Sequence, residues 1–189
     1  MLLFSLVLGA AAFVFGALAV HLVPLLEAGG VGAATAVFLA SLKGFAQVGG
    51  RLCDIAFGQR LHPVTLGRIS IAFLPLSFAV LLAGGASLAA ALAFIVTFGV
   101  ANGLTTIVRG AVPLALFGPK GYGEVLGILA TPYLLLNAAA PFAMALIVER
   151  GGYRAGASVL LAVSLLACAA MEIMARWHRR RQGAGSGPV

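Results

Sequence analysis

The chain has 189 residues, of which 62% are hydrophobic and only 9% are charged, and its mean hydropathy is +1.11. Soluble domains carry roughly 45–50% apolar and about 25% charged residues, so this composition excludes an ordinary soluble protein and predicts an integral membrane protein in a lipid bilayer. The net charge of +7 does not indicate a nucleic-acid partner, because the cationic residues lie between apolar runs, where they orient membrane helices.

Six apolar segments follow one another along the chain, each near the length of about 20 residues that a membrane-spanning helix needs. They are about Leu2–Leu26, Gly32–Phe57, Leu66–Leu82, Leu88–Val108 with an apolar tail through Phe117, Val125–Val148 and Ala155–Arg176. The connections are short and rich in Gly and Pro, which favours antiparallel neighbours. The sequence therefore predicts an all-α membrane protein, with one six-helix domain over residues 1–177 and a basic, disordered cytoplasmic tail over residues 178–189.

The first apolar segment begins at Met1 without a charged flank and continues past Val20 without a convincing cleavage site. A signal peptide needs a positive flank and a cleavage site, so the sequence argues against one here. A spanning helix that starts at the initiator Met predicts that a part of the protein is missing upstream.

The cationic residues predict the orientation of these helices. If the first helix runs outward, nine of them lie on one side: Arg51, Arg60, Arg68, Arg109, Lys120, Arg176, Arg179, Arg180 and Arg181. Arg150 and Arg154 lie on the other side. Because cytoplasmic loops carry an excess of Lys and Arg, we expect a multi-pass protein of the inner (plasma) membrane with both termini in the cytoplasm.

Lys43 lies near the middle of the second segment, and Gln47 follows one helical turn later. A charge inside a span is expensive and is a functional hypothesis by default. Lys43 either binds the carboxylate or phosphate of a small-molecule substrate, with Gln47 in the same cavity, or it snorkels or pairs structurally with a carboxylate. On the first alternative, the two residues line a substrate path.

The fourth segment collects four polar residues on its second half: Asn102, Thr105, Thr106 and Arg109. Their spacing of i, i+3, i+4 and i+7 is one face of a helix and predicts a polar wall of the substrate path. Alternatively, the threonine hydroxyls bond to the i−4 carbonyls, and Arg109 anchors the cytoplasmic end. As an inner gate, Arg109 would hold Glu124 or Asp54 in one conformation and release it in the other.

Three further features of the apolar segments have both a functional and a structural interpretation. Asn137, in the fifth segment, either lines the path or bonds to a neighbouring helix. His21, near the outer end of the first segment, either couples to protons or is a satisfied interfacial side chain. Glu172 and Arg176 are spaced i, i+4, which predicts a structural ion pair.

Three GxxxG pairs occur, at Gly99–Gly103, Gly123–Gly127 and Gly152–Gly156. This spacing leaves a flat strip on which a second helix can approach closely. In a chain with 25 glycines some matches are expected by chance, so each pair is either a packing face or incidental.

Four stretches together resemble the C-terminal six-helix half of a major facilitator superfamily (MFS) transporter. They are HLVPLLEAGG, GGRLCDIAFGQRLHP, ANGLTTIVRGAVPLALFGPKGYGEVLG and PFAMALIVERGGYRAGASVLLAVSLL. In order, they are similar to parts of the family's seventh, eighth, tenth to eleventh, and eleventh to twelfth helices. The resemblance implies a half bundle of two inverted groups of three helices (3+3), which moves a small solute by alternating access as a secondary transporter.

Members of this family have twelve helices in two halves, and the chain resembles one of them. The resemblance therefore implies a partner, which is a missing N-terminal half, a separate six-helix chain or a second copy. The residues after the second segment match the family's loop signature only loosely. They imply a gating pair of Asp54 with Arg51 or Arg60.

Two other kinds of function stay open, a non-transporting membrane assembly subunit and a truncated, inactive transporter fragment. We do not expect an enzyme, because the sequence lacks HExxH, GxSxG and paired intramembrane aspartates. We predict no cofactor and no metal ion.

Overall fold

Five helices joined by short turns make up the part of the chain that the computed structural model describes, residues 1–57 and 61–184. They are α1 (Leu2–Ala28), α2 (Ala33–Phe57), α3 (Pro63–Gly84), α4 (Leu88–Phe117) and α5 (Tyr122–Ala184). The predicted all-α fold class is confirmed for these residues. Arg60, predicted in a cytoplasmic loop, and residues 185–189 of the predicted tail lie outside the described residues.

The longest helix, α5, is divided by a break at Gly152. This residue has φ 72° and ψ 177°, a conformation outside the helical region that glycine adopts readily. A continuous helix would place Met144 and Gly156 about 18 Å apart, yet a methyl group added to Gly156 would collide with the Met144 side chain. The chain therefore reverses at Gly152, and residues 122–151 and 153–184 form a first and a second arm that lie against each other.

Four of the described helices, α1, α3, α4 and α5, are long and apolar enough to cross a membrane. The other one, α2, is less apolar because it carries Lys43, Gln47, Arg51 and Asp54. The chain is thus a multi-pass integral membrane protein, as its composition predicts, and its apolar helices suit a lipid bilayer.

Aromatic side chains join α1, α3 and α4 at the centre of the bundle. Phe78 of α3 lies 5.5 Å from Phe94 and 6.3 Å from Phe98 of α4, measured between ring centroids. Phe15 of α1 lies 5.6 Å from Phe98, and all four side chains are buried. Such ring pairs contribute about 0.5–1.5 kcal/mol each beyond the area they bury. They hold α4, which carries the predicted polar face, against α1 and α3.

The third helix begins three residues before the predicted start at Leu66, because its N-terminus has its own capping signals. Pro63 occupies a first-turn position, where the missing N–H is not needed and the fixed φ suits a helix. The Val64 N–H donates to His62 Nδ1 at 3.3 Å. His62 and Pro63 therefore set this boundary.

Both α4 and α5 extend beyond the predicted spans. The apolar tail through Phe117 is part of a single 30-residue α4, which ends at Gly118. Beyond Arg176, α5 continues to Ala184, so residues 178–184 of the predicted disordered tail are helical. Arg and Gln have high helix propensity, which favours this extension.

Candidate functional site

The backbone of α2 lies directly on α4 at the first GxxxG pair. A methyl group added to Gly99 would lie 2.8 Å from the Lys43 carbonyl oxygen, and one added to Gly103 would collide with the Gln47 carbonyl oxygen. Only glycine leaves room for so close an approach. The structure therefore shows a packing face at Gly99–Gly103, and this face places Lys43 and Gln47 beside the polar half of α4.

The other two GxxxG pairs do not bring helices together in this way. A methyl group added to Gly123 or Gly127 would have no described atom within 4 Å. Gly152 forms the break in α5, whereas Gly156 contacts the first arm. The motif therefore marks a helix interface at one of its three occurrences in the described chain.

Lys43 and Gln47 are half-buried between helices. Neither side chain has a hydrogen-bond or ion-pair partner among residues 1–57 and 61–184. The predicted alternative of a structural carboxylate partner for Lys43 is therefore not formed within the described chain. The ammonium group and the amide stay available to a polar ligand.

The polar residues of α4 divide between two sides of the helix. Thr105 is buried against α3, where its hydroxyl lies 2.8 Å from the Ser70 hydroxyl and donates to the Ala101 carbonyl at 2.7 Å. Thr106 is exposed, and its hydroxyl donates to the Gly103 carbonyl at 2.6 Å. The predicted single face therefore splits. Thr105 fastens α4 to α3, whereas Asn102, Thr106 and Arg109, spaced i, i+4 and i+7, lie on the other side.

Arg109 lies over the ring of Tyr133 in the first arm of α5. Its guanidinium carbon is 4.8 Å from the ring centroid, a cation–π contact that contributes about 0.5–1 kcal/mol where it is exposed. Both residues line a cavity of about 210 Å³ between α4 and this arm. The N–H groups of the Arg109 guanidinium form no ion pair with any described residue.

The residues predicted to gate the path are not paired with one another in this conformation. Within the described chain, Arg109 has no ion pair with Glu124 or Asp54, and Arg51 and Glu124 are exposed. Asp54 is half-buried, and its Oδ1 atom is buried without a described hydrogen-bond partner. An unpaired buried polar atom is destabilising by about 1–3 kcal/mol, so Asp54 is a group with unused bonding capacity. Its gating role stays a prediction.

Asn137 connects the first arm of α5 to α1. Its Nδ2 donates to the Ala12 carbonyl at 3.0 Å. Pro141 has no N–H to offer the Asn137 carbonyl four residues earlier, and Gly16 of α1 lies against that carbonyl so closely that an added methyl group would collide with it. Of the two predicted alternatives, the structure therefore shows the interhelical hydrogen bond.

Replacing Asn137 with alanine should destabilise the protein by about 0.6 kcal/mol, the average measured for interhelical hydrogen bonds in membranes, for which the largest value is about 1.7 kcal/mol. The free energy of unfolding of the detergent-solubilised protein measures this loss. Asn102→Ala is the matched control, because Asn102 is half-buried and has no described hydrogen-bond partner. Equal losses in the two variants would show that the Asn137 bond does not contribute.

Two contacts between distant residues are absent from the sequence-based predictions. Glu172 does not pair with Arg176; it accepts two bonds from Arg68 of α3, at 2.5 Å from Nε and 3.0 Å from Nη2. At the other end, His21 Nε2 donates to the Pro141 carbonyl at 3.1 Å, and its Nδ1 lies 3.4 Å from the Tyr153 hydroxyl. This supports the interpretation of His21 as a satisfied side chain. Residues more than a hundred positions apart give no local signal for such pairs.

The structure thus leaves Lys43 and Gln47 of α2 and Asn102 of α4 without a described polar partner, and Arg109 of α4 without an ion pair to a described residue. Lys43 lies level with Gly99, which is about 15 Å along α4 from Arg109, so the two cations lie in different parts of the bundle. Each of them can bind a carboxylate or phosphate group. Comparison of the chain with protein-family models, with curated proteins and with solved structures finds no match.

Proposed function

We propose that this membrane protein spans the bilayer six times and forms one half of an MFS-type secondary transporter for a small solute. Two features support six spans. The reversal at Gly152 creates two arms of about 30 residues each, and α2, with 25 residues, exceeds the length of about 20 that a span needs. Transport rather than catalysis is proposed, with no cofactor.

The observation that carries this proposal is the set of unpaired polar groups on α2 and α4. In an apolar bundle, such groups are expensive and face an interior or a water-filled cavity. Thr105 and Asn137 satisfy their bonding capacity in helix contacts, whereas Lys43, Gln47 and Asn102 do not. A path for a polar solute accounts for polar groups that no helix contact uses.

The charges on this path favour an anionic solute. Lys43 and Arg109 are cations without a described carboxylate partner, whereas the Glu172 carboxylate is bound by Arg68 of α3. A carboxylate or phosphate would bind one cation at a time, Lys43 with a bond from the Gln47 amide and Arg109 nearer the inner gate. The substrate class is therefore a small organic or inorganic anion.

A complete path needs a second wall, which we assign to a second six-helix half. Rocking of two bundles about a shared site exposes that site first on one side of the membrane and then on the other. Arg109 leaves Tyr133 in this cycle and pairs with Glu124 or Asp54 at the inner gate. The excess of cationic residues near the C-terminal ends of α2, α4 and α5 supports a cytoplasmic position for this gate and for both termini.

Labelling of single cysteines tests whether the polar groups face water inside the membrane. Cys53 and Cys168, which are free thiols, are first replaced with serine, and N102C or T106C is then added. In sealed vesicles of either orientation, a membrane-impermeant maleimide should react with both positions. Only a thiol that ionises in water reacts readily, so the reaction reports a hydrated path.

L166C provides the matched control, because Leu166 is 53% exposed on the second arm and faces lipid in the proposed arrangement. It should react only at background level. Reaction of N102C and T106C from one side alone would contradict alternating access, and reaction at the L166C level would contradict a water-filled path altogether.

One observation favours the alternative of a non-transporting assembly subunit. Gly123 and Gly127 form an open strip on α5 with no described neighbour, and such strips accept a helix of another chain. This alternative predicts background labelling of N102C and T106C together with cross-linking of G127C to a partner chain. The two experiments therefore separate the two functions.

A further inference from the structure

An apolar groove lies at one end of the bundle, near the C-terminal part of α5. It has a volume of about 540 Å³ and is formed by Met1, the first turn of α1, the last turn of α4 and residues 173–178 of α5. Its walls are almost entirely apolar and include Leu3, Phe4, Phe117, Ile173, Met174 and Trp177. The size is within the range of about 300–1,000 Å³ that is typical of ligand sites.

Two arginines lie next to the groove-lining residues of α5 along the helix, although they are not part of the groove wall itself. Ile173, Trp177 and Arg180 are spaced i, i+4 and i+7, so Arg180 continues the face of α5 that lines the groove. Arg176 lies one turn before Arg180, and both are exposed. Glu172 is the acidic residue of these last turns, and it is already bound by Arg68. Both oxygens of Glu172 are taken by Arg68, and neither Arg176 nor Arg180 forms an ion pair with a described carboxylate.

We propose that this groove binds one anionic phospholipid, with an acyl chain in the apolar groove and the phosphate held by Arg176 and Arg180. The combination of the two chemistries points to a lipid, because a soluble anion would leave the groove empty and a neutral lipid would leave the cations unpaired. Arginine binds phosphate oxygens through two parallel hydrogen bonds. Basic sites between membrane helices are well suited to anionic head groups.

The position of Trp177 agrees with a lipid at this depth. Tryptophan is enriched where a membrane meets water, and Trp177, part of the groove wall, lies in the sequence between Arg176 and Arg180. An acyl chain in the groove would contact its indole ring, while the phosphate would lie beside it, between the two arginines. The site does not depend on what the protein transports.

Trp177 also provides the measurement, because it is the single tryptophan of the sequence. The full-length protein is reconstituted in neutral vesicles that contain a small, equal fraction of either phosphatidylglycerol or phosphatidylcholine with brominated acyl chains, which quench indole fluorescence on contact. We expect clearly stronger quenching by brominated phosphatidylglycerol, which unlabelled phosphatidylglycerol should reverse. Equal quenching by the two lipids would overturn the proposal.

The variant R176A/R180A tests the role of the two arginines. Each arginine near an anionic surface contributes about fivefold in affinity, so this variant should lose about tenfold or more of its preference for phosphatidylglycerol. The control R150A/R154A removes two exposed arginines near the break in α5 and should keep the preference.

Unchanged quenching of R176A/R180A by brominated phosphatidylcholine shows that its groove is intact. If the groove is intact, an unchanged preference of R176A/R180A for phosphatidylglycerol would overturn the proposed site. An equal loss of this preference in R150A/R154A would overturn it as well. A third outcome is that neither double substitution changes the preference for phosphatidylglycerol and that high salt removes it equally in all variants. That outcome would attribute the preference to the overall positive charge of the protein and would contradict a specific site.

Discussion

Replacing Gly103 with alanine should destabilise the protein by about 1–3 kcal/mol, the usual effect of forcing extra volume into a packed interface. The added methyl group would collide with the Gln47 carbonyl oxygen of α2, which belongs to the backbone and cannot rotate away. The two helices would have to separate along the Gly99–Gly103 strip, with loss of packing contacts that drive helix association in membranes. The free energy of unfolding in detergent, measured for Gly103→Ala and the parent protein, gives the size of this effect.

Gly127→Ala is a control with the same residue change in the same type of motif. No described atom lies within 4 Å of the position of its new methyl group. Because alanine is favoured over glycine in a helix by about 1 kcal/mol, this variant should be as stable as the parent or slightly more stable. Equal destabilisation of both variants would mean that the α2–α4 contact is not the cause.

Removal of one partner of the Arg68–Glu172 ion pair should destabilise the protein by about 2 kcal/mol. The Glu172 carboxylate accepts bonds from both Nε and Nη2 of Arg68, and the side chains are 34% and 32% exposed. Exposed ion pairs contribute about 0.2–1 kcal/mol, whereas breaking a buried pair costs about 3–5 kcal/mol. The pair is intermediate between these limits, so either Arg68→Leu or Glu172→Leu should weaken the contact between α3 and the second arm.

The double variant R68L/E172L should recover most of this stability, because apolar side chains of similar volume often replace an ion pair at little cost. The difference between the double variant and the sum of the single variants measures the coupling of the two residues. Additive losses would show that the ion pair does not join the helices. Arg154→Leu, in an exposed position on the same arm, controls for the loss of a surface cation.

The helices themselves are predicted well because membrane helices depend on local composition. Each one satisfies its backbone hydrogen bonds within its own segment, so an apolar run of sufficient length suffices to identify it. The ERGGYR turn predicted between the fifth and sixth segments corresponds to the break at Gly152, since glycine adopts a positive φ without strain. The boundaries differ where local caps act, as at His62 and Pro63.

The sequence predicts less well which polar residues make structural contacts between helices and which stay without a partner. Spacing groups Thr105 with Thr106 and Arg109, but spacing does not reveal which neighbour covers each side of a helix. In the structure, Thr105 forms a hydrogen bond with Ser70 of α3, and Asn137 donates a hydrogen bond to the Ala12 carbonyl. Both residues therefore have a structural contact, whereas Lys43, Gln47 and Asn102, also predicted to line the path, have no described hydrogen-bond partner.

The sequence by itself determines that this is a membrane protein, where its helices lie and which residues are polar within them. These properties depend on hydropathy and backbone geometry, which are local. Only the tertiary structure decides that α2 packs against Gly99–Gly103, whereas no described residue packs against Gly123–Gly127. It also decides that Glu172 binds Arg68 and not Arg176. The reason is that identical motifs and charges acquire different partners when the chain brings residues up to 132 positions apart into contact.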